Sequence, residues 1–480
     1  MSLLSSLYTT ASALSVFNRA LTVTSNNVTN SQTPGYATQI QNLNAQPFAP
    51  ASGLDGGVTV GPVESTRNEF AEQAVERAQT SLGMATQQSS SLTDVQNALN
   101  LSAANGIPAA LGNLFSSFSA WSQDTESEST RQAVMTSAQQ VVDSFQTTVT
   151  SLQQVQQNTE NQIGQTVNQI NAYAQQLQTY NIQIANGDRN DASLDAKIHN
   201  TLENLSQIVN FTYTVGTDGE VTVLAGGETP LVVNQQQYNL SEVIAAPAQA
   251  PGSPGVPPTA TIFDSAGRDV TQQITGGQLG ALLDTHNNVL ASLLGDANQQ
   301  GSLNQLAQSF ADRVNQLLAD GNVSDGPPPV AGSALFSYDT TNATNVAATL
   351  AIDPSATPDT LAAIDPGPPY VSNGAALNLA ALANPQQSSD EINNMSYVQF
   401  FGNLAAGVGR QLSAANDQQS IQQQVVAQAQ SSRQQISGVD LNEQAALLVQ
   451  YQNAYQANAQ LFTVLNSLTQ TAVNLLQPTG

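Results

Sequence analysis

The residues that could do chemistry in this chain form a short inventory. Its 480 residues hold two histidines, His199 and His286, one lysine, Lys197, and no cysteine. Metal binding and acid–base catalysis need imidazoles and carboxylates at defined spacings. Neither histidine is read as having a His, Cys, Asp or Glu partner at metal-ligand spacing. Each reads as a structural histidine in a helical segment. The 35 acidic residues are scattered, and nothing selects a catalytic pair among them. Gly276-Gly277-Gln278-Leu279-Gly280 lacks the GxGxxG spacing, and a turn before a helix accounts for it. No HExxH, P-loop or nucleophile elbow occurs. The missing cysteines exclude disulfides, thiolate metal sites and cysteine nucleophiles. The sequence therefore nominates no catalytic, metal-binding or cofactor-binding residue. Trp121, with Phe115 and Phe118, reads as core.

Polar groups able to make specific bonds concentrate near the two ends. Asn26, Asn27 and Asn30 precede Thr33-Pro34-Gly35-Tyr36. Tyr451, Tyr455 and Asn458 lie in Tyr451-Gln452-Asn453-Ala454-Tyr455-Gln456-Ala457-Asn458. The first group fits a helix C-cap and turn. Both groups also fit a subunit contact, because exposed amides and tyrosines bond across interfaces.

The elements that position them carry a seven-residue apolar repeat. Leu7, Leu14, Leu21 and Val28 are seven apart, as are Leu441, Leu448, Tyr455 and Phe462. That repeat lets a helix lie along another helix. The two terminal helices can pair with each other, or equally with copies of themselves.

Composition narrows the function. The charged fraction is 9%, against roughly 25% for an ordinary globular protein, and Gln, Asn, Ser and Thr replace the charges. Such a surface is weakly repelled by its own copies; it also fits a compositional habit of the source. Net charge is -25 with ten basic residues, which argues against nucleic acid and anionic membranes. No apolar run is long enough for a membrane span. The N-terminus lacks the basic region of a Sec signal peptide.

The expected fold class is mainly α with an inserted β-rich domain. Helix is expected over 3–30, 69–99, most of 109–209, 277–319, 396–431 and 441–476. Residues 36–62 read as extended. Val142, Val149, Ile163, Ile170, Leu177 and Ile184 mark a long rod, with Gln156 filling the gap, closed by a glycine cap at Asn186-Gly187-Asp188. Phe211–Val215 and Val221–Leu224 read as a hairpin around Asp218-Gly219, with a further strand at 231–233. Residues 245–260 read as an exposed loop, 261–270 as strand and turn, and 321–390 as loops with short apolar runs.

These residues carry a resemblance. Ser25–Gln39, SNNVTNSQTPGYATQ, resembles the N-terminal signature of the flagellar rod, hook and hook-associated axial proteins, roughly SxNIANxxTPGYxRQ. Thr38 stands where Arg is usual. Ser437–Phe462 resembles the C-terminal signature of the same family, with Tyr455–Ala459 matching YQANA. Three internal segments resemble the members at the hook–filament junction more than rod and hook proteins. They are Ser437–Glu443, SGVDLNE; Gly276–Leu283, GGQLGALL; and Asn373–Ala380, NGAALNLA.

The resemblance implies a structural part of the flagellum, needed for filament assembly and exported by the flagellar type III apparatus without a Sec signal. Its implied partners are copies of itself in a ring, the flagellar hook protein, and the second junction protein, hook-associated protein 3. A cytoplasmic export chaperone would cover the C-terminal helix. No cofactor, nucleic acid or membrane span is implied. It also implies three layers: an inner domain of paired terminal helices, residues 1–62 plus 432–480; a helical-bundle middle domain, 63–210 plus 276–320 plus 391–431; and a β-rich outer domain, 211–275 plus 321–390. The expected assembly residues are Leu7, Leu14, Leu21, Asn26, Asn27, Asn30, Thr33, Pro34, Gly35, Tyr36, Leu441, Leu448, Tyr451, Tyr455, Asn458 and Phe462. A hook or rod protein is the alternative within the family. A secreted surface adhesin is the alternative from another class, and an enzyme ranks third.

Overall fold

A computed structural model describes residues 3–49, 52, 54–99, 106–189, 191–245, 256–326 and 328–476. The chain opens with helix α1, Leu3–Thr29, which ends where Thr33-Pro34-Gly35 makes a turn. Strands β1 (Gln39–Ala45) and β4 (Val58–Ser65) then pair antiparallel, with a register shift between Gln41 and Leu43. The short strands β2 (Phe48–Ala49) and β3 (Leu54–Asp55) pair toward the tip. The segment read as extended is thus a hairpin. Helices α2 (Glu69–Leu99) and α3 (Ile107–Gln123) follow, the second opened by Pro108 in its first turn.

Helix α4, Glu128–Gln183, is 56 residues long, about 84 Å at 1.5 Å per residue. Its heptad positions Val142, Val149, Gln156, Ile163, Ile170 and Leu177 are all buried. A π-turn over Ile184–Asp188 ends it, with Gly187 at φ 121°. Helix α5, Ala192–Ile208, runs back along it, capped by Asp191, whose carboxylate accepts from the Ser193 amide.

Strands β5 (Phe211–Val215), β6 (Val221–Ala225), β7 (Thr229–Val233) and β8 (Gln236–Gln237) form one antiparallel sheet in that order. Strands β9 (Ser241–Ala245) and β10 (Thr259–Phe263) make a separate pair. The loop expected over 245–260 is therefore bounded by strand ends, and its centre lies outside the described residues.

The single helix expected over 277–319 is broken. Helix α6 (Gly277–Asp284) passes through a π-turn at Thr285–Leu290 into α7 (Ala291–Leu294), and α8 starts at Ser302 and ends at Asp320. Gly295 and Gly301, at φ 93° and 84°, place the break. The apolar stripe stops at Leu294 and resumes at Leu303, with the polar run GDANQQG between them. Strands β11 (Asn322–Ser324), β12 (Val330–Ala331), β13 (Phe336–Ser337) and β14 (Ala351–Ile352), helix α9 (Val346–Thr349) and helix α10 (Gly374–Ala381) fill the next region. Helices α11 (Tyr397–Ser437) and α12 (Leu441–Leu476) complete the chain.

Two hydrophobic clusters organise the body. One joins α3, the first part of α4, α7, α8, α10 and the start of α11 around Trp121, Phe118, Phe145 and Phe310. The other joins the rest of α4, α5, α6 and strands β5–β7 and β10. Residues 211–275 and 321–390, grouped by the sequence into one β-rich layer, supply different clusters. Strands of two or three residues cannot hold a sheet of their own. They lie instead against α8, where the Asn315 side chain bonds the Leu335 and Phe336 amides and the Phe336 carbonyl.

Candidate functional site at the joined termini

Helices α1 and α12 pair antiparallel. Asn27 near the end of α1 bonds Gln444 near the start of α12, and Phe17 packs on Tyr451 with ring centroids 6.4 Å apart. The ends of one chain therefore pair with each other. The buried positions of α1 are Thr10, Ala13, Val16, Ala20, Thr24 and Asn27. Small residues let the two backbones approach, so Leu7, Leu14 and Leu21 sit half-buried at the edge of the seam and Val28 is exposed. On α12, Leu448, Tyr451, Asn458 and Phe462 are half-buried, whereas Leu441 and Tyr455 are exposed.

Asn27 is the centre of the joint, 1% exposed. Its Nδ2 donates to the Gln39 carbonyl at 2.8 Å and to Gln444 Oε1 at 2.9 Å. Its Oδ1 accepts from the Tyr36 hydroxyl at 2.9 Å and the Gln39 amide at 3.0 Å. Asn26 Nδ2 donates to the same Tyr36 hydroxyl. Burial raises the Tyr36 pKa, and the Asn26 bond opposes that rise. Asn30 Nδ2 donates to Asn26 Oδ1, and the Thr33 hydroxyl donates to Asn30 Oδ1. The amides and hydroxyls nominated near the N-terminus are therefore bonded within the chain. Asn458 likewise donates to the Ala454 carbonyl on its own helix.

The Thr33–Tyr36 turn docks on α5. Gly35 has φ +74°, and a Cβ there would meet the Ala196 carbonyl. Only glycine combines that backbone with that approach. The Gly35 carbonyl accepts from Arg67 at 2.6 Å. Gly277, at φ +69°, makes the same kind of approach to Ile208–Val209, which accounts for the glycine cluster at the start of α6.

Thr38 binds the C-terminal segment directly. Its amide donates to the Ser437 carbonyl at 2.9 Å and its hydroxyl to the Gly438 carbonyl at 2.8 Å. The Ser437 hydroxyl donates to the Thr66 carbonyl and accepts from the Asn68 amide. Asp440 caps α12, accepting from the Asn442 and Glu443 amides. The SGVDLNE segment thus ends one helix, ties down the N-terminal connector and starts the next.

Charged residues brace the same joint, and reasoning from the sequence missed them. Arg67 pairs with Glu72 on α2 and with Asp195 on α5. Arg433 on α11 pairs with Glu72 at 3.0 Å and Glu203 at 2.8 Å. Two signals were available: the chain has ten basic residues, and Asp195, His199 and Glu203 follow one another at i, i+4 on α5. Burial, then Arg67 and Arg433, hold the His199 pKa well below its usual value. Burial raises the Tyr213 hydroxyl, whose ring stands edge-on to His199.

Both histidines have a carboxylate neighbour after all. His199 lies 3.7 Å from Asp195, and His286 lies 3.1 Å from Glu160 and 2.9 Å from Asn287. Among the described residues no group of three or more His, Asp or Glu could hold a metal. None of their helices is long and apolar enough to cross a membrane.

Comparison with known proteins matches this architecture. The family model for the flagellar hook-associated protein FlgK helical domain matches residues 92–336, just over half of the chain. The flagellar basal body rod FlgEFG C-terminal model matches 430–475, and the flagella basal body rod protein model matches 7–36. Flagellar hook-associated protein 1 of Bacillus subtilis is 25% identical over 516 residues, covering 98% of this chain and 97% of its own. That of Salmonella typhimurium is 32% identical over 98 residues, 20% of this chain and 18% of its own. The solved flagellar hook junction protein FlgK from Burkholderia pseudomallei shares the fold: TM-score 0.63 at 16% identity, over 76% of this chain and 99% of that one. The chain belongs to the flagellar hook-associated protein FlgK family, structural components of the bacterial flagellum.

Proposed function

We propose that this chain forms part of the junction between flagellar hook and filament and is needed for filament assembly. The observation that carries this reading is the family match over 92–336 on a chain whose ends pair into one antiparallel helix duplex. Each helix of that duplex carries one charged residue, Arg19 on α1 and Glu443 on α12. Val449, Leu461, Val464, Leu468 and Val473 of α12 are each about half exposed. A duplex with one charge on each helix and an uncovered apolar flank fits packing among copies in a ring.

Within the nominated set, Asn26, Asn27, Asn30, Thr33, Pro34, Gly35 and Tyr36 shape the joint. Leu7, Leu14, Leu21, Leu441, Leu448, Tyr451, Tyr455, Asn458 and Phe462 are the edge offered to neighbours. The hook protein and hook-associated protein 3 are the neighbours above and below. Export follows the flagellar type III route, with a cytoplasmic chaperone on α12 beforehand. Residues 1–62 plus 432–480 form the inner layer and 211–275 the outer one; 321–390 go with the helical layer, because they fill its core.

The test is to delete the gene, image the cells by electron microscopy and assay the medium for flagellin. Bare hooks with flagellin shed to the medium support the proposal. Missing hooks would move the protein to the rod or hook, and intact filaments would refute a junction role.

A further inference from the structure

The joint leaves a groove open to the outside. It lies where β1, the end of α11 and the start of α12 meet beside α1, and its volume is about 770 Å³. Ile40 and Ile436 line it, each about half exposed, and Leu447 extends the apolar wall. Asp440 and Glu443, one turn apart at the start of α12, are exposed at the same groove. Neither carboxylate has an ion pair among the described residues, and the Glu443 side chain makes no hydrogen bond with them. Gln41, 7% exposed, is a further wall residue. Its Nε2 is committed to the Asn42 and Gly61 carbonyls, and its Oε1 has no donor among the described residues. Two carboxylates and a spare amide oxygen beside apolar side chains call for a donor-rich cation on an apolar stem, which is the chemistry of arginine.

Residues 1–66 and 434–480 together hold one cation, Arg19. It is exposed on α1 and has no partner among the described residues. Phe17 packs on Tyr451 and Asn27 bonds Gln444, so Arg19 and Glu443 stand about eight residues, or about 12 Å, apart along the duplex. Within one chain they make no ion pair. We propose that Arg19 docks in this groove on a second copy of the chain, with its guanidinium between Asp440 and Glu443 and its stem along Ile40 and Ile436. The contact rests on the junction reading, in which the terminal duplexes of neighbouring copies lie side by side. A copy displaced by about 12 Å along the duplex axis brings its Arg19 level with its neighbour's groove. Each copy then gives one arginine and receives another, so the contact is heterologous and passes from copy to copy. The exposed Val and Leu side chains of α12 supply area to such packing but little register. A lone cation that meets an acidic groove sets the register.

The test is a charge swap in the full-length chain, expressed in a strain deleted for the gene. Arg19→Glu alone and Glu443→Arg alone should each lose filaments and shed flagellin to the medium. The two substitutions together should restore filaments, because the opposite charges meet again. Arg19 has no partner within its own chain, so the purified Arg19→Glu monomer should melt as the wild type does. Normal filaments in both single variants would overturn the proposal, as would a double variant that sheds flagellin like the singles. A lowered melting temperature for Arg19→Glu would overturn it too, because Arg19 would then serve its own fold. The deletion strain without any copy separates this contact from the junction reading. Bare hooks there, with normal filaments in the single variants, remove the groove contact alone. Intact filaments there remove the junction reading and the contact with it.

Discussion

Replacing Asn27 by alanine should unfasten the terminal duplex and leave the body intact. Asn27 makes four hydrogen bonds, two to the Gln39 backbone, one to Gln444 and one to Tyr36. A net bond contributes about 1 kcal/mol, and a buried partner left unsatisfied costs about 1–3 kcal/mol. Tyr36 and Gln39 lie near the surface, where water can replace the lost partner, but Gln444 is buried. The expected loss is about 2–4 kcal/mol, or about 30- to 1000-fold in the opening equilibrium. Native-state hydrogen exchange reads this directly: amides at the end of α1 and the start of α12 should exchange faster by that factor. Amides of α3, the first part of α4 and α8 should keep their wild-type rates, because their core shares no residue with the joint. A change of less than threefold at α1 and α12 would refute the reasoning. Equal acceleration throughout the chain would do the same, since it would mean global destabilisation.

Three further outcomes follow from the same geometry. Gly35→Ala should cost at least about 1–2 kcal/mol from the left-handed backbone alone, with a further cost from contact with Ala196, and should lower the melting temperature of the joint; an unchanged melting curve would count against the docking of the turn on α5. Phe462→Asp should leave monomer solubility and helical circular dichroism unchanged but abolish filament assembly, so normal motility in that strain would contradict the assembly role of α12. His199 is held neutral in the folded chain, while the unfolded chain binds a proton near 6.5. Its contribution to stability is therefore full above 6.5 and falls as pH drops below it. The stability advantage of wild type over His199→Gln in urea denaturation should shrink between pH 7 and pH 5, and a constant difference would refute the assignment.

Long elements with strict periodicity were legible in the sequence. The heptad core of α4 and the boundaries of α1 and α2 emerge from apolar spacing and the Thr33-Pro34-Gly35 turn. The break between α7 and α8 was passed over, although its signal was present: Gly295–Gly301 reads GDANQQG, two glycines around a polar run between Leu294 and Leu303. The packing of 321–390 was hidden: very short strands take their place from tertiary contacts with α8 rather than from their own pattern. At the site, the motifs mark the joint, and their side chains bond within the chain. Asn27 and Tyr36 looked available to a neighbouring subunit and are bonded to their own chain. The ion pairs Arg67–Asp195 and Arg433–Glu72 link residues 128 and 361 positions apart, where spacing has nothing to say.

The most direct test of the account asks whether the duplex forms within one chain. Phe17→Cys and Tyr451→Cys, introduced together into a protein without other thiols, can be joined by a short bifunctional maleimide in the free protein and in purified flagella. The account predicts an intrachain cross-link in both, with the product at monomer mass. Cross-linked dimers and ladders as the main product would show that the terminal helices pair between copies, and would contradict it.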